Sequence, residues 1–163
     1  MNIKKWAMPC IFILIFIVIF RSFFISNYMI EGHSMEPTLN DGDRVFVNQS
    51  IDIMIEPRID DIFFFKLNNK EVLVKRILAT PGDYLKVSKG QLFINGRKTR
   101  YKDNSMNLLL RDQTKDYRIV PEDCYLVIGD NISISTDSRT FGCISRKQML
   151  GKVIHTYWHN NKR

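Results

Sequence analysis

Cysteine is scarce in this chain, with three in 163 residues. None shows the C-x-x-C spacing of a thiolate metal site, so no metal centre is expected. Cys10 lies inside an apolar run. Cys124 and Cys143 are open to pairing with each other, and two buried free thiols are the preferred reading. Long amphipathic helices are hard to find, and there is no internal repeat. The basic residues form no stripe with interleaved aromatics, which argues against nucleic acid despite 24 Lys and Arg against 17 Asp and Glu. The formal net charge of +7 then fits either ordinary solubility or a domain lying against anionic lipid. The length suits one compact domain plus an anchor.

Charge is also missing from "WAMPCIFILIFIVIF", Trp6 to Phe20. Arg21 and Ser22 interrupt the run and Phe23 to Ile25 resumes it. Trp6 to Ile25 would make a helix of about 30 Å, enough to cross a bilayer core, with Arg21 snorkelling near its far end. A cleaved leader would need a small-x-small site, and "SFFISNY" offers none. Lys4 and Lys5 precede the run, and after Arg21 the next basic residue is Arg44. The positive-inside rule therefore puts the N-terminus in the cytoplasm. The expected domains are a cytoplasmic N-terminus at 1–5, a transmembrane anchor at 6–25 and an extracytoplasmic domain at 26–163.

The remainder reads as short strands rich in β-branched and aromatic residues, bounded by Gly, Pro, Asn and Asp. They are Asp43 to Gln49, Asp61 to Leu67, Glu71 to Ala79, Tyr84 to Ser88, Gln91 to Gly96 and Cys124 to Asp130. Asn95-Gly96 signals a hairpin. "SRKQMLGKVI" predicts one helical turn and then a strand. Residues 97–118 are charged and weakly patterned, and are expected to be an exposed excursion. The fold class is mainly β: a compact barrel-like domain of short, mostly antiparallel strands behind a single transmembrane helix.

Three segments carry candidate chemistry. In "EGHSMEPTL", Ser34 follows Gly32, which lets backbone approach a ligand, and precedes Pro37, which stiffens the exit. A serine nucleophile needs a base within about 3 Å. His33 is badly placed for that, because adjacent side chains in extended backbone point to opposite faces. His155 and His159 fall in a C-terminal tail without an obvious carboxylate partner. Lys75 is the better base. It sits beside Arg76 in the apolar strand "VLVKRILA", where alternation gives the two residues opposite faces. Burial would push a lysine amine toward neutrality, whereas arginine stays charged. The third segment, "GDNISISTDSRTFG" (Gly129 to Gly142), could orient the lysine through a hydroxyl and brace itself with an Asp–Arg pair. Each segment alone also fits plain turn or surface chemistry.

Together and in this order the segments resemble the bacterial type I signal peptidases, membrane-bound serine proteases with a Ser/Lys dyad. The resemblance runs through "SMEPTL", "DRVFVN", "VKRILATPGD", "GDNISISTDSRTFG" and "LGKV". It leaves residues 97–118 and the tail weakly matched. It implies Ser34 as nucleophile and Lys75 as general base. Ser135 would hold the lysine amine, and Asp137 with Arg139 would form a bracing ion pair. Met35, Ile30, Leu39 and Val74 would line the shallow substrate pockets. The oxyanion hole would use the Ser34 N–H. Some members add a serine hydroxyl two residues before the nucleophile. Here that position is Gly32, as in Gram-positive-like members, leaving the Gly32 N–H or water as second donor. The departures are "RIDDIFFF", "FGCIS", Ile132 and Ile134; none touches the dyad.

The resemblance further implies removal of signal peptides from exported preproteins, after small residues of the Ala-x-Ala type, through an acyl-enzyme. The implied partners are preproteins with their signal peptides and the lipid surface. Nucleic acid is not among them, no cofactor or metal is required, and nothing is implied about an oligomer. Two other classes were weighed. A Ser/Lys self-cleaving regulator should be soluble and carry a DNA-binding domain. A non-catalytic tethered β-domain would tolerate loss of Ser34 and Lys75.

Overall fold

The computed structural model describes residues 8–16, 25–50, 56–68, 71–110 and 117–160. The β-rich patterning produces, among the described residues, ten strands in two antiparallel sheets. The larger sheet has six, in the order β1 (Ile25–Met29), β2 (Arg44–Asn48), β10 (Met149–Trp158), β3 (Ile62–Leu67), β4 (Glu71–Ala79) and β9 (Leu126–Ile128). The smaller sheet runs β7 (Arg97–Lys102), β6 (Gln91–Ile94), β5 (Tyr84–Ser88), β8 (Tyr117–Ile119). Neither closes among the described residues: β1 and β9 are edges of one, β7 and β8 of the other. The barrel-like expectation is thus corrected to two sheets that stay open among the described residues.

The run "FFF" explains why the large sheet is covered on both faces. Alternation sends Phe63 and Phe65 into one apolar cluster with Ile77, Val127 and Ile144, and Phe64 into another with Ile30, Met35 and Val47. β4 pairs with β3 in the register Phe63↔Lys75 and Phe64↔Val74. Lys75 therefore shares the Phe63 face and Val74 the Phe64 face. Asn95 and Gly96 both adopt positive φ (50° and 76°) and turn β6 into β7.

Several expectations change. Ile25 begins β1 rather than ending a helix. The span expected at 6–25 lies mostly outside the described residues. Residues 8–16 are helical with exposed side chains, and no helix among the described residues is long and apolar enough to cross a membrane. The supposed C-terminal tail is β10, which lies between β2 and β3 in the large sheet. His159, expected to lack a carboxylate, lies 3.5 Å from buried Asp43. The excursion at 97–118 is not merely exposed. It supplies β7 and a 3-10 helix, Asn104–Leu110, whose Met106, Leu109 and Leu110 are buried. Its charged residues masked an apolar face that packs with Leu78, Leu85 and Leu126.

The cysteine reading is also corrected. Cys124 and Cys143 form a disulfide, with Cα atoms 5.1 Å apart. The Tyr125↔Ile144 bridge sets their backbones side by side. Cys124 is buried and Cys143 exposed.

Candidate active site

The long strand β4 carries Lys75 into the molecule. Its side chain is 2% exposed, and its amine lies 2.5 Å from Ser34 Oγ. Burial lowers the Lys75 pKa below the usual lysine value, while the charges of Asp137 and Glu71 partly oppose the shift. A largely desolvated amine against a serine hydroxyl can withdraw its proton. His33 takes no part in this contact. Its ring is 61% exposed, and Nδ1 is 2.7 Å from Glu36 Oε1. That hydrogen bond and the Glu36 charge raise the His33 pKa.

The Ser34 segment is held by backbone. Thr38 and Leu39 N–H groups donate to Met35 O, and Asn131 N–H donates to Ser34 O at 3.0 Å. The last bond ties Ser34's own peptide to the loop after β9. Among the described residues no hydrogen bond takes up the Ser34 N–H. The Gly32 N–H, one of the two options for a second oxyanion donor, is committed: it donates to Asp41 Oδ1 at 2.8 Å.

Gly129 is where the segments meet most closely. A Cβ placed there would lie 2.2 Å from Ser135 Oγ and 2.5 Å from Ser34 O. The backbone oxygen cannot yield without moving Ser34. Gly129→Ala is expected to lower kcat about a hundredfold, the scale for ångström misplacement of a reacting group. A variant with wild-type kcat in a cleavage assay would contradict this packing.

Asp137 and Arg139 are both buried, and the guanidinium grips the carboxylate through Nε and Nη2, each at 2.9 Å. Asp137 also accepts the Gly129 N–H, and Arg139 Nη1 donates to Ser105 Oγ at 2.7 Å. Ser105 belongs to the excursion, so that segment braces the loop rather than standing apart. Ser135 stands differently from its expected role. Its hydroxyl is buried and has no hydrogen-bond partner among the described residues, so it is not seen on the Lys75 amine. Ile30, Met35, Leu39 and Val74 come together in one apolar cluster, with exposures from 0% to 7%.

One feature was missed from sequence. Arg76, expected on the face opposite Lys75, is not left in water. Its Nε and Nη2 clasp Asp130 at 2.8 and 2.5 Å, and Nη1 donates to Asp60 O. Nη2 also approaches Thr38 Oγ1 at 3.4 Å. The pair joins the lysine strand, the Ser34 segment and the loop after β9. The available signal was an arginine in an apolar strand, which needs a carboxylate partner, and an aspartate just beyond the next apolar strand. A shallow cleft of about 540 Å³ passes Glu36, Pro37, Asn131 and Ser133, beside the nucleophile segment.

The chain is similar to known proteins. The family described as "Signal peptidase, peptidase S26" matches residues 3–158. Signal peptidase IB of Staphylococcus aureus (strain COL) is 32% identical, over 96% of this chain and 90% of that protein. Signal peptidase I of Bacillus caldolyticus is 39% identical, over 85% of this chain and 82% of its own. A crystal structure of a signal peptidase I from Enterococcus faecalis V583 aligns with a TM-score of 0.47 and 24% identity, covering 62% of this chain and 99% of that one.

Proposed function

This chain belongs to the signal peptidase S26 family of serine peptidases, as a bacterial type I signal peptidase, and we propose that it removes signal peptides from exported preproteins with Ser34 as nucleophile and Lys75 as base. The observation that carries the reading is the 2.5 Å contact between Ser34 Oγ and the amine of a lysine that is 2% exposed.

In this reading neutral Lys75 takes the Ser34 proton as Oγ attacks the carbonyl after a small residue. The Ser34 N–H supports the developing oxyanion. The protonated amine then gives its proton to the leaving nitrogen of the mature chain. The signal peptide stays as an ester on Ser34 until Lys75 activates water to release it. Asp137 with Arg139, and Arg76 with Asp130, hold the loop against the dyad. The buried cluster of Ile30, Met35, Leu39 and Val74 packs behind the Ser34 segment, and a shallow site over it that admits alanine and excludes bulk would give an Ala-x-Ala preference.

The location follows from the same reading. The reading keeps the expected anchor in the apolar run that starts at Trp6, with residues 1–5 in the cytoplasm and the catalytic domain outside. The uncharged run and the exposed apolar side chains of residues 8–16 support this. The test is incubation of the full chain in detergent micelles with a preprotein bearing an Ala-x-Ala site, with the products weighed by mass spectrometry. Cleavage at that junction is expected, and intact substrate with folded enzyme would refute the proposal.

The pH dependence follows from the lysine. Activity needs the neutral amine, so kcat/KM should rise with pH along a limb set by Lys75. That limb should lie below the free-lysine value of about 10.4. Glu71 raises the Lys75 pKa through its charge. Removing the charge in Glu71→Gln should move the limb to lower pH. A limb that stays in place or moves upward would show that another group controls it.

A further inference from the structure

We propose that the Cys124–Cys143 disulfide is the clasp of the catalytic loop, so that Cys124 and Cys143 are positioning residues and cleavage depends on the bond being closed. The inference rests on the peptidase reading above. The two cysteines are 19 positions apart. Between them lies every contact through which the loop holds the dyad. Asn131 N–H reaches Ser34 O, and Asp130 takes the Arg76 guanidinium. Asp137 takes the Gly129 N–H and the Arg139 guanidinium. The loop is otherwise lightly framed. β9 is three residues long and pairs with β4 alone, as an edge strand. Near Cys143 the return leg joins the structure through the Tyr125↔Ile144 bridge and the Arg146 N–H, which donates to Asp123 Oδ1. Opening the disulfide would leave that bridge, the short helix Ser138–Phe141, whose Ser138 hydroxyl accepts the Val127 N–H, and the Arg139–Ser105 bond to keep the loop closed.

The bond is also placed to be opened. Cys143 is exposed while Cys124 is buried, so an incoming thiolate reaches the Cys143 sulfur. Attack there forms a mixed disulfide and releases Cys124 as thiolate, which takes up a proton. The second thiol of a dithiol reductant then displaces Cys143 and closes its own disulfide. Two electrons and two protons have passed from the dithiol to the cysteine pair. Arg118 Nη2 lies 3.4 Å from the Cys143 sulfur and favours the thiolate from which the bond reforms. A peptidase built this way works in an oxidising setting and loses its geometry in a reducing one.

The test uses the full chain carrying Cys10→Ser, so that one redox pair remains, in detergent micelles with the Ala-x-Ala preprotein. Kinetics and amide hydrogen exchange are measured before and after reduction with dithiothreitol and after reoxidation. Reduction should lower kcat about tenfold to a hundredfold, with KM changing less, and reoxidation should restore it. The Gly129 and Asn131 amides should lose protection while those of β3 and β4 keep theirs. Cys124→Ala/Cys143→Ala should start at the reduced level and ignore the reductant. Unchanged kcat and loop protection after verified reduction would overturn the proposal. So would simultaneous loss of protection in β3, β4 and the loop, which would make the bond a general staple of the fold. If the oxidised enzyme cuts nothing, the peptidase reading fails, and hydrogen exchange still decides the clasp.

Discussion

Lys75→Arg is expected to lose about 10⁴-fold or more in kcat, and Ser34→Ala and Lys75→Ala as much. The arginine variant is the sharpest of these. It keeps a long cationic side chain on β4 but cannot give up its charge at working pH, so it cannot accept the Ser34 proton. Lys75→Met separates catalysis from stability. A buried amine with a lowered pKa costs folding energy. The apolar replacement should therefore hold or raise Tm while cleavage disappears. His33→Ala should cut almost as fast as wild type, because its ring is exposed and bonded to Glu36. Steady-state kinetics on an Ala-x-Ala preprotein, with a thermal melt of each variant, checks all of these. An active Lys75→Arg, or a dead His33→Ala that still folds, would break the assignment of the base.

Asp137→Ala should cause the largest loss of stability of any single change around the site. Asp137 is fully buried and accepts from Gly129 N–H and from the Arg139 backbone and guanidinium. Its removal takes the carboxylate away from a buried guanidinium, at a cost of about 3–5 kcal/mol. At about 2–4 °C per kcal/mol for a chain of this size, Tm should fall by about 6–20 °C. kcat should fall as well, since the Gly129 N–H loses its acceptor beside Ser34. Asp137→Ala/Arg139→Met should recover part of the Tm, because the buried charge goes with its partner. A single variant within a degree of wild type by calorimetry would show that the pair carries little.

Much of this architecture is readable from residues because local pattern and tertiary role agree. Glu71 to Ala79 and Tyr84 to Ser88 are strands with the bounds that their composition suggests. Asn95-Gly96 turns where left-handed backbone is needed. A lysine inside an apolar strand pointed to a buried amine, since that position gives the ammonium no water. What stayed hidden depends on contacts distant in sequence. β1 starts at Ile25, the residue expected to end the apolar run, and its remaining "SNYM" carries no strand pattern. The disulfide required the Tyr125↔Ile144 bridge, which no spacing reveals. Met106, Leu109 and Leu110 are a core face inside a charged stretch. Arg76 and Asp130 are 54 positions apart and meet because β4 pairs with β9.

The most direct measurement is mass spectrometry of the enzyme after acid quench during turnover of an Ala-x-Ala preprotein. The account predicts an adduct with the mass of the signal peptide, joined as an ester to the fragment bearing Ser34. The adduct should be absent from Lys75→Ala. Cleavage that proceeds with the adduct on another residue would contradict the Ser34–Lys75 mechanism, as would an adduct that forms equally well without Lys75.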